Sequence, residues 1–357
     1  MPEAAANPAL GILIFMAGGL AGAIFYLPFK KVRQWAWESY WFVYALVGLV
    51  VVPWLLALTT SPNVFAVLRA APGSEVTYCF ICGAVWGFGG LTWGLMIRYL
   101  GVGLGLAMGA GLTSAAGALI PPLLKGQDAI AKMFTTPAGL ISVAAALVSV
   151  IGIVFVGMAG MSKERELPEE AKKKAVAEFN FRKGIMVALF SGLMSAGMSF
   201  GLQGGPGIQK LARVIQPPTS LAWSGMPVLV VVLLGGFVVN GVWCILLNIR
   251  NKTAGDYIAK GAPLGRNLIF AGLAGAIWCS QFICFKTGEP QMGRTSYIGW
   301  AVLMASQILF SQLLGLKLGE WKGSSRRTVR LLIAGLALLI VSAVVAGYGG
   351  YVGAQVG

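Results

Sequence analysis

AGLISVAAALVSVIGIVFVGMAG, residues 138–160, is a run of twenty-three residues with no charged side chain. At 1.5 Å per residue a helix of that length reaches about 34 Å, enough to cross a hydrocarbon core about 30 Å thick. Barrel strands run to about 10 residues and alternate in polarity, so a continuous apolar run of this kind is a helix. Nine further stretches meet the same standard, near 9–29, 40–60, 77–97, 100–124, 184–203, 223–248, 267–286, 297–316 and 331–352. Composition agrees: 57% of the 357 residues are hydrophobic and 11% are charged, against about 25% charged in a soluble domain. Mean hydropathy is +0.79. Too little polar surface exists to cover a water-facing globule, and the expectation is an all-α integral membrane protein with ten transmembrane helices.

Directly after residue 160 the sequence turns polar. Residues 161–182 include Lys163-Glu164-Arg165-Glu166 and Glu169-Glu170-Ala171-Lys172-Lys173-Lys174, which read as a charged linker or a short solvated helix. This linker separates five spans in 1–160 from five in 183–357. A net charge of +15 would suggest nucleic acid in a soluble chain, but here the basic residues occupy short loops. Of the 27 Lys and Arg, 20 lie in the connections after odd-numbered spans and 7 on the opposite face. The richer face is the cytoplasmic one by the positive-inside rule, which puts the linker inside and both termini outside. The first span carries the small residues Ala21-Gly22-Ala23, yet no Lys or Arg precedes it, so it reads as a retained helix and not a signal peptide.

Several chemistries are excluded. The chain has no histidine, which removes histidine-dependent metal sites, triads and proton relays. Five cysteines, all inside apolar stretches, do not make a disulfide framework. Cys79 and Cys82 lack the second pair that a zinc site needs. Gly204-Gly205-Pro206-Gly207-Ile208-Gln209-Lys210 lacks the spacing of a phosphate-binding loop and reads as a flexible loop. No cofactor and no metal is expected.

An internal repeat supplies the functional direction. Gly19-Leu20-Ala21-Gly22-Ala23 in the first span recurs as Gly192-Leu193-Met194-Ser195-Ala196 in the sixth. Gly83-Ala84-Val85-Trp86 in the third recurs as Gly275-Ala276-Ile277-Trp278 in the eighth, each followed seven residues later by an aromatic residue, Trp93 or Phe285. Two copies of five spans must insert upside down relative to each other, and inverted repeats are a signature of secondary transporters. Glycines four apart, such as Gly83 and Gly87 or Gly101, Gly105 and Gly109, line single helix faces and let backbones approach.

Polar groups at lipid depth are costly and mark sites. Gln281 lies three residues after Trp278, and Asn240 three before Trp243. An amide both donates to and accepts from hydroxyls, while an indole offers a flat apolar face to sugar C–H groups, so amides and tryptophans together suit a sugar. Trp86, Trp93 and Tyr26 complete the expected pocket. The competing reading of each aromatic is an interfacial anchor or packing residue, and of each amide an interhelical hydrogen bond. Among acidic residues, Glu38 stands in Trp35-Ala36-Trp37-Glu38-Ser39-Tyr40-Trp41, where partial desolvation suits a proton-coupling group; pairing with Lys30, Lys31 or Arg33 is the alternative. Glu289 and Glu320 border helix ends and read as interfacial. Arg98, in the tight hairpin Arg98-Tyr99-Leu100-Gly101, suits a helix cap or phosphate contact.

Phe25-Tyr26-Leu27-Pro28-Phe29-Lys30-Lys31-Val32, Trp35-Ala36-Trp37-Glu38, Gly83-Ala84-Val85-Trp86-Gly87-Phe88-Gly89-Gly90, Arg98-Tyr99-Leu100-Gly101, Glu178-Phe179-Asn180-Phe181, Ser195-Ala196-Gly197-Met198-Ser199-Phe200 and Gly319-Glu320-Trp321 together resemble the L-rhamnose/proton symporter family of the drug/metabolite transporter superfamily, in collinear order over nearly the whole chain. The resemblance implies ten helices as two inverted five-helix repeats, with uptake of L-rhamnose coupled to a proton. It also implies a cavity lined by the first, third, fourth, sixth, eighth and ninth helices, which suits Tyr26, Trp86, Trp93, Trp278 and Gln281 better than Asn240. The chain departs from enteric members at Gly90 and Thr92, where they carry asparagines, and in lacking their histidines; any proton must then ride on a carboxylate.

The expectation is a non-enzymatic transporter of the bacterial inner membrane that imports a 6-deoxyhexose, L-rhamnose first, with protons. Its partners are the sugar, the proton and the bilayer. The rival readings are a transporter of another sugar or small metabolite, a membrane-embedded lipid-linked sugar transferase, and a sensor or scaffold.

Overall fold

A computed structural model of the protein describes residues 7–124, 127–166, 178–259, 261–292 and 299–356. These residues form α1 (Pro8–Ile24), α2 (Trp37–Leu46), α3 (Val52–Thr60), α4 (Val64–Ala70), α5 (Gly73–Leu100), α6 (Val102–Leu124), α7 (Gln127–Thr135), α8 (Pro137–Glu166), α9 (Phe181–Gln203), α10 (Pro206–Val214), α11 (Met226–Arg250), α12 (Leu264–Gly288), α13 (Gly299–Lys317) and α14 (Arg326–Val356), with short 3₁₀ turns between them. No strand occurs among the described residues. Nine helical stretches there are long and apolar enough to cross a membrane; the expected fourth span, α6, contributes the shorter apolar stretch Val102–Thr113. The exposed helix faces carry Leu13, Leu55, Leu147, Val154, Ile249 and Ile269, apolar on the outside as lipid requires. The protein is an all-α integral membrane protein.

Local sequence accounts for the breaks. The second span divides into α2 and α3 at a π-helical turn, Val47–Val51, just ahead of Pro53, which has no N–H to bond back to Leu49. The hairpin between α5 and α6 turns on Gly101, whose φ of 88° costs glycine nothing. Two expectations need correcting. The segment 204–210 is not a loop throughout: Pro206 opens α10, and Glu75 from α5 accepts the Gly207 and Ile208 N–H groups at 3.2 and 3.1 Å, supplying a cap from a distant residue. Part of the expected linker, Met161–Glu166, continues α8 as helix, while 167–177 lie outside the described residues.

The chain forms two compact units, one from 1–23, 91–196 and 288–357, the other from 24–90 and 197–287. Each therefore takes helices from both halves of the sequence. In the first unit α8 runs along α14, and α6 packs on α13. Gly19 of α1 sits against Ser306 and Gln307 of α13, and Gly192 of α9 sits against Leu112 of α6. At one end of this unit Glu320 accepts the Val102 and Gly103 N–H groups at 2.8 and 2.9 Å, Asn180 N–H bonds Tyr99 O at 3.0 Å, and Glu166 accepts Ser325 N–H at 2.9 Å. Connections after the third, fifth and ninth spans thus gather together. Arg98 pairs here with Glu178.

In the second unit α11 packs against α2 and α3. A Cβ on Gly83 would stand 1.9 Å from Val232 O of α11, and one on Gly275 would stand 2.4 Å from Tyr44 O of α2, so both backbone crossings depend on glycine. Asn267 accepts Arg33 N–H at 3.0 Å and returns a bond to Arg33 O at 2.8 Å, joining the connections after the first and seventh spans. Asn63 donates to Ala212 O and Ile215 O at 2.8 and 2.7 Å, joining those after the second and sixth.

Candidate functional site

The second unit contains an aromatic column. Trp86 of α5 and Trp278 of α12 stack with ring centroids 4.9 Å apart and planes at 26°. Trp278 also meets Phe282 at 4.8 Å and the edge of Tyr44 at 6.1 Å. Tyr44 continues to Trp41 at 4.7 Å, and Trp41 stacks on Trp37 at 4.9 Å. Tyr26 stands edge-on to Phe29 at 5.1 Å, which in turn reaches Trp41 at 5.8 Å. Both members of the repeated Gly-Ala-Val/Ile-Trp quartet thus place their tryptophans face to face. Each covers a face of the other, and both are buried.

One turn beyond Trp278, Gln281 is buried and its Oε1 has no hydrogen-bond partner. A buried carbonyl left unpaired costs about 1–3 kcal/mol, so this atom is an acceptor waiting for a donor. Asn240 differs. Its Oδ1 accepts Trp41 Nε1–H at 2.9 Å, and its Nδ2 donates to Gly236 O at 2.9 Å and Gly87 O at 3.2 Å. That amide has spent its donors and fixes α2, α5 and α11 to one another. Trp93 belongs to the first unit, where its ring packs over Gly109.

Glu38 lies in the first turn of α2 and is buried. No Lys or Arg pairs with it among the described residues. Its Oε1 accepts Asn251 Nδ2 at 2.9 Å and Thr253 Oγ1 at 2.8 Å, both from the connection after α11. The same connection is tied by Asp256, which accepts Ala36 N–H and Ser39 Oγ–H at 2.7 Å each. Burial pushes the Tyr257 hydroxyl above its usual range; it stays protonated and donates to Ser39 O at 3.2 Å. This polar collar around Glu38 was not legible in sequence, because its members lie more than two hundred residues away.

Two buried charges in the first unit were also missed. Glu320, expected at an interface, is buried and caps α6. Lys163, expected in the solvated linker, is 1% exposed, with Nζ 4.9 Å from the Trp321 ring and 5.2 Å from the Phe179 ring. The continued helix carries it under those rings, and cation–π attraction offsets part of its desolvation. Glu166, by contrast, is exposed, and the Ser325 N–H with the Thr328, Ser162 and Ser325 hydroxyls holds its carboxyl down at about 2. The described residues hold no group of three or more metal-ligating side chains.

Residues 4–352 match the family model described as L-rhamnose-proton symport protein (RhaT). The chain belongs to the L-rhamnose-proton symport protein family. It is 32% identical over 344 residues to L-rhamnose-proton symporters of Klebsiella pneumoniae and Cronobacter sakazakii, and 30% identical to that of Yersinia pestis, covering 95% of this chain and 97% of each relative. With its apolar helices, membership makes it a multi-pass protein of the bacterial inner membrane. The matched range 4–352 contains the positions around Glu38, Trp86 and Glu320.

Proposed function

We propose that this protein imports a 6-deoxyhexose, L-rhamnose first, by proton symport, and that it transports its sugar without chemically altering it. The observation that carries the site is Gln281 Oε1, buried and unpaired one turn from the stacked Trp86 and Trp278. A sugar hydroxyl is the donor this oxygen lacks. In the present conformation the two indoles cover each other, so stacking a pyranose on either requires the pair to part. Tyr26 completes this aromatic wall. Asn240 serves by holding Trp41 and α5 in position.

The inverted-repeat reading is supported by equivalent contacts. Gly83 meets the seventh span and Gly275 the second; Gly192 meets the fourth and Gly19 the ninth. Exchange of span n with span n+5 relates each pair, as a pseudo-two-fold arrangement of ten helices demands. Connections of like parity pack together in each unit, which supports one basic, cytoplasmic face bearing the linker and two external termini.

For the proton we assign Glu38. Its ionised form receives two bonds from the 251–253 connection; protonation weakens these charge-assisted bonds and frees the start of α2. Glu38→Gln in proteoliposomes should abolish sugar accumulation driven by a pH gradient while sparing counterflow of sugar against sugar. Accumulation equal to wild type would remove Glu38 from the coupling role.

A further inference from the structure

At the end of the first unit where the third, fifth and ninth connections gather, two grooves combine arginines with apolar side chains. The larger, about 750 Å³, is lined by Met161 and Arg165 from α8 and by Phe181, Arg182, Ile185 and Met186 from α9. The second, about 320 Å³, is lined by Phe155 of α8 and by Arg327, Arg330, Leu331 and Ala334 of α14. None of the four arginines has an acidic partner among the described residues. Among the described residues, the acids Glu166, Glu178 and Glu320 are committed elsewhere: Glu166 to Ser162, Ser325 and Thr328, Glu178 to Arg98, and Glu320 to the start of α6.

The order of side chains along α8 and α9 matters. Arg165 stands one turn beyond Met161, toward the end of α8, and Arg182 occupies the first turn of α9 with Ile185 and Met186 one turn deeper. Met161 and Met186 are exposed. Charge therefore sits at the rim and flexible apolar surface below it, facing where acyl chains run. A soluble anion would use the guanidiniums alone; a molecule with a phosphate head and apolar tails uses both layers.

We propose that the groove between α8 and α9 binds an anionic glycerophospholipid, its phosphate held by Arg165 and Arg182 and its acyl chain laid over Met161, Ile185 and Met186. Arginine is suited to this because its planar fork bonds phosphate oxygens bidentately. Basic pockets between transmembrane helices recognise anionic headgroups by the same chemistry. The groove at Arg327 and Arg330 is built alike and supplies a second, weaker position.

The test is native mass spectrometry of the full-length purified protein given phosphatidylglycerol and phosphatidylcholine in equal amounts. Wild type should retain phosphatidylglycerol in preference, and millimolar inorganic phosphate should not displace it. Arg165→Gln with Arg182→Gln should weaken that retention by about thirtyfold, whereas Arg165→Lys with Arg182→Lys should keep most of it. Equal retention of the two lipids by wild type would overturn the proposal, and that comparison needs no variant to fold. Undiminished retention by the glutamine variant would do the same. Displacement by inorganic phosphate would show a free-anion site instead, and no lipid retention at all would likewise overturn the proposal.

Discussion

Replacing Gln281 separates a binding amide from a structural one. In the sugar-free protein its buried Oε1 is unpaired, a state that costs about 1–3 kcal/mol. Gln281→Leu removes that atom at similar volume, so the melting temperature of the sugar-free variant should equal or exceed that of wild type. In the sugar complex the same change leaves a substrate hydroxyl buried without its acceptor. Losing one neutral hydrogen bond and stranding its donor costs about 2 kcal/mol, or about thirtyfold in Kd. Isothermal titration with L-rhamnose, paired with a thermal melt in the same detergent, reads both numbers. A Kd within threefold of wild type would refute the assignment. A large drop in the sugar-free melting temperature would equally show that Gln281 serves the fold.

Other consequences follow from the packing and charge. Gly83→Ala and Gly275→Ala each drive a methyl into a backbone carbonyl and should destabilise by about 2 kcal/mol. Gly73→Ala, with nothing within 4 Å, should melt like wild type; equal melts for all three would contradict the close crossings. Glu166 is held at about 2, below the ordinary carboxyl value of 4.5. Its folded-state value is depressed, so its contribution is complete above about 4.5 and fades as pH falls toward about 2. The gap between wild-type and Glu166→Gln melting temperatures should narrow over that window, and a gap constant across it would show that the carboxylate charge is not what ties Ser325 and Thr328.

The helices were largely legible because a membrane span announces itself by length: residues 138–160 admit no other reading. Connections of like parity in the ten-span reading meet within each unit. Pairing was not legible. Nothing in the apolar run of α11 says that Val232 O faces Gly83. Trp86 and Trp278 stack on each other, and Gln281 lies one turn along α12 from Trp278. Asn240 turned out to be fully bonded, because its partners Trp41 and Gly87 lie on other helices. Lys163 was read from its charged neighbours, while its burial is decided by Trp321, more than one hundred and fifty residues away. Charge in sequence marks surface only when no aromatic from elsewhere folds over it.

The most direct measurement is proton movement driven by L-rhamnose. Purified protein would be reconstituted into tight proteoliposomes holding a trapped pH dye, and L-rhamnose added outside. Acidification of the lumen that saturates with sugar and is absent from protein-free vesicles is the predicted result. Saturable L-rhamnose entry with no change in luminal pH would contradict symport, and the absence of both sugar and proton entry in vesicles shown to be tight would contradict the substrate.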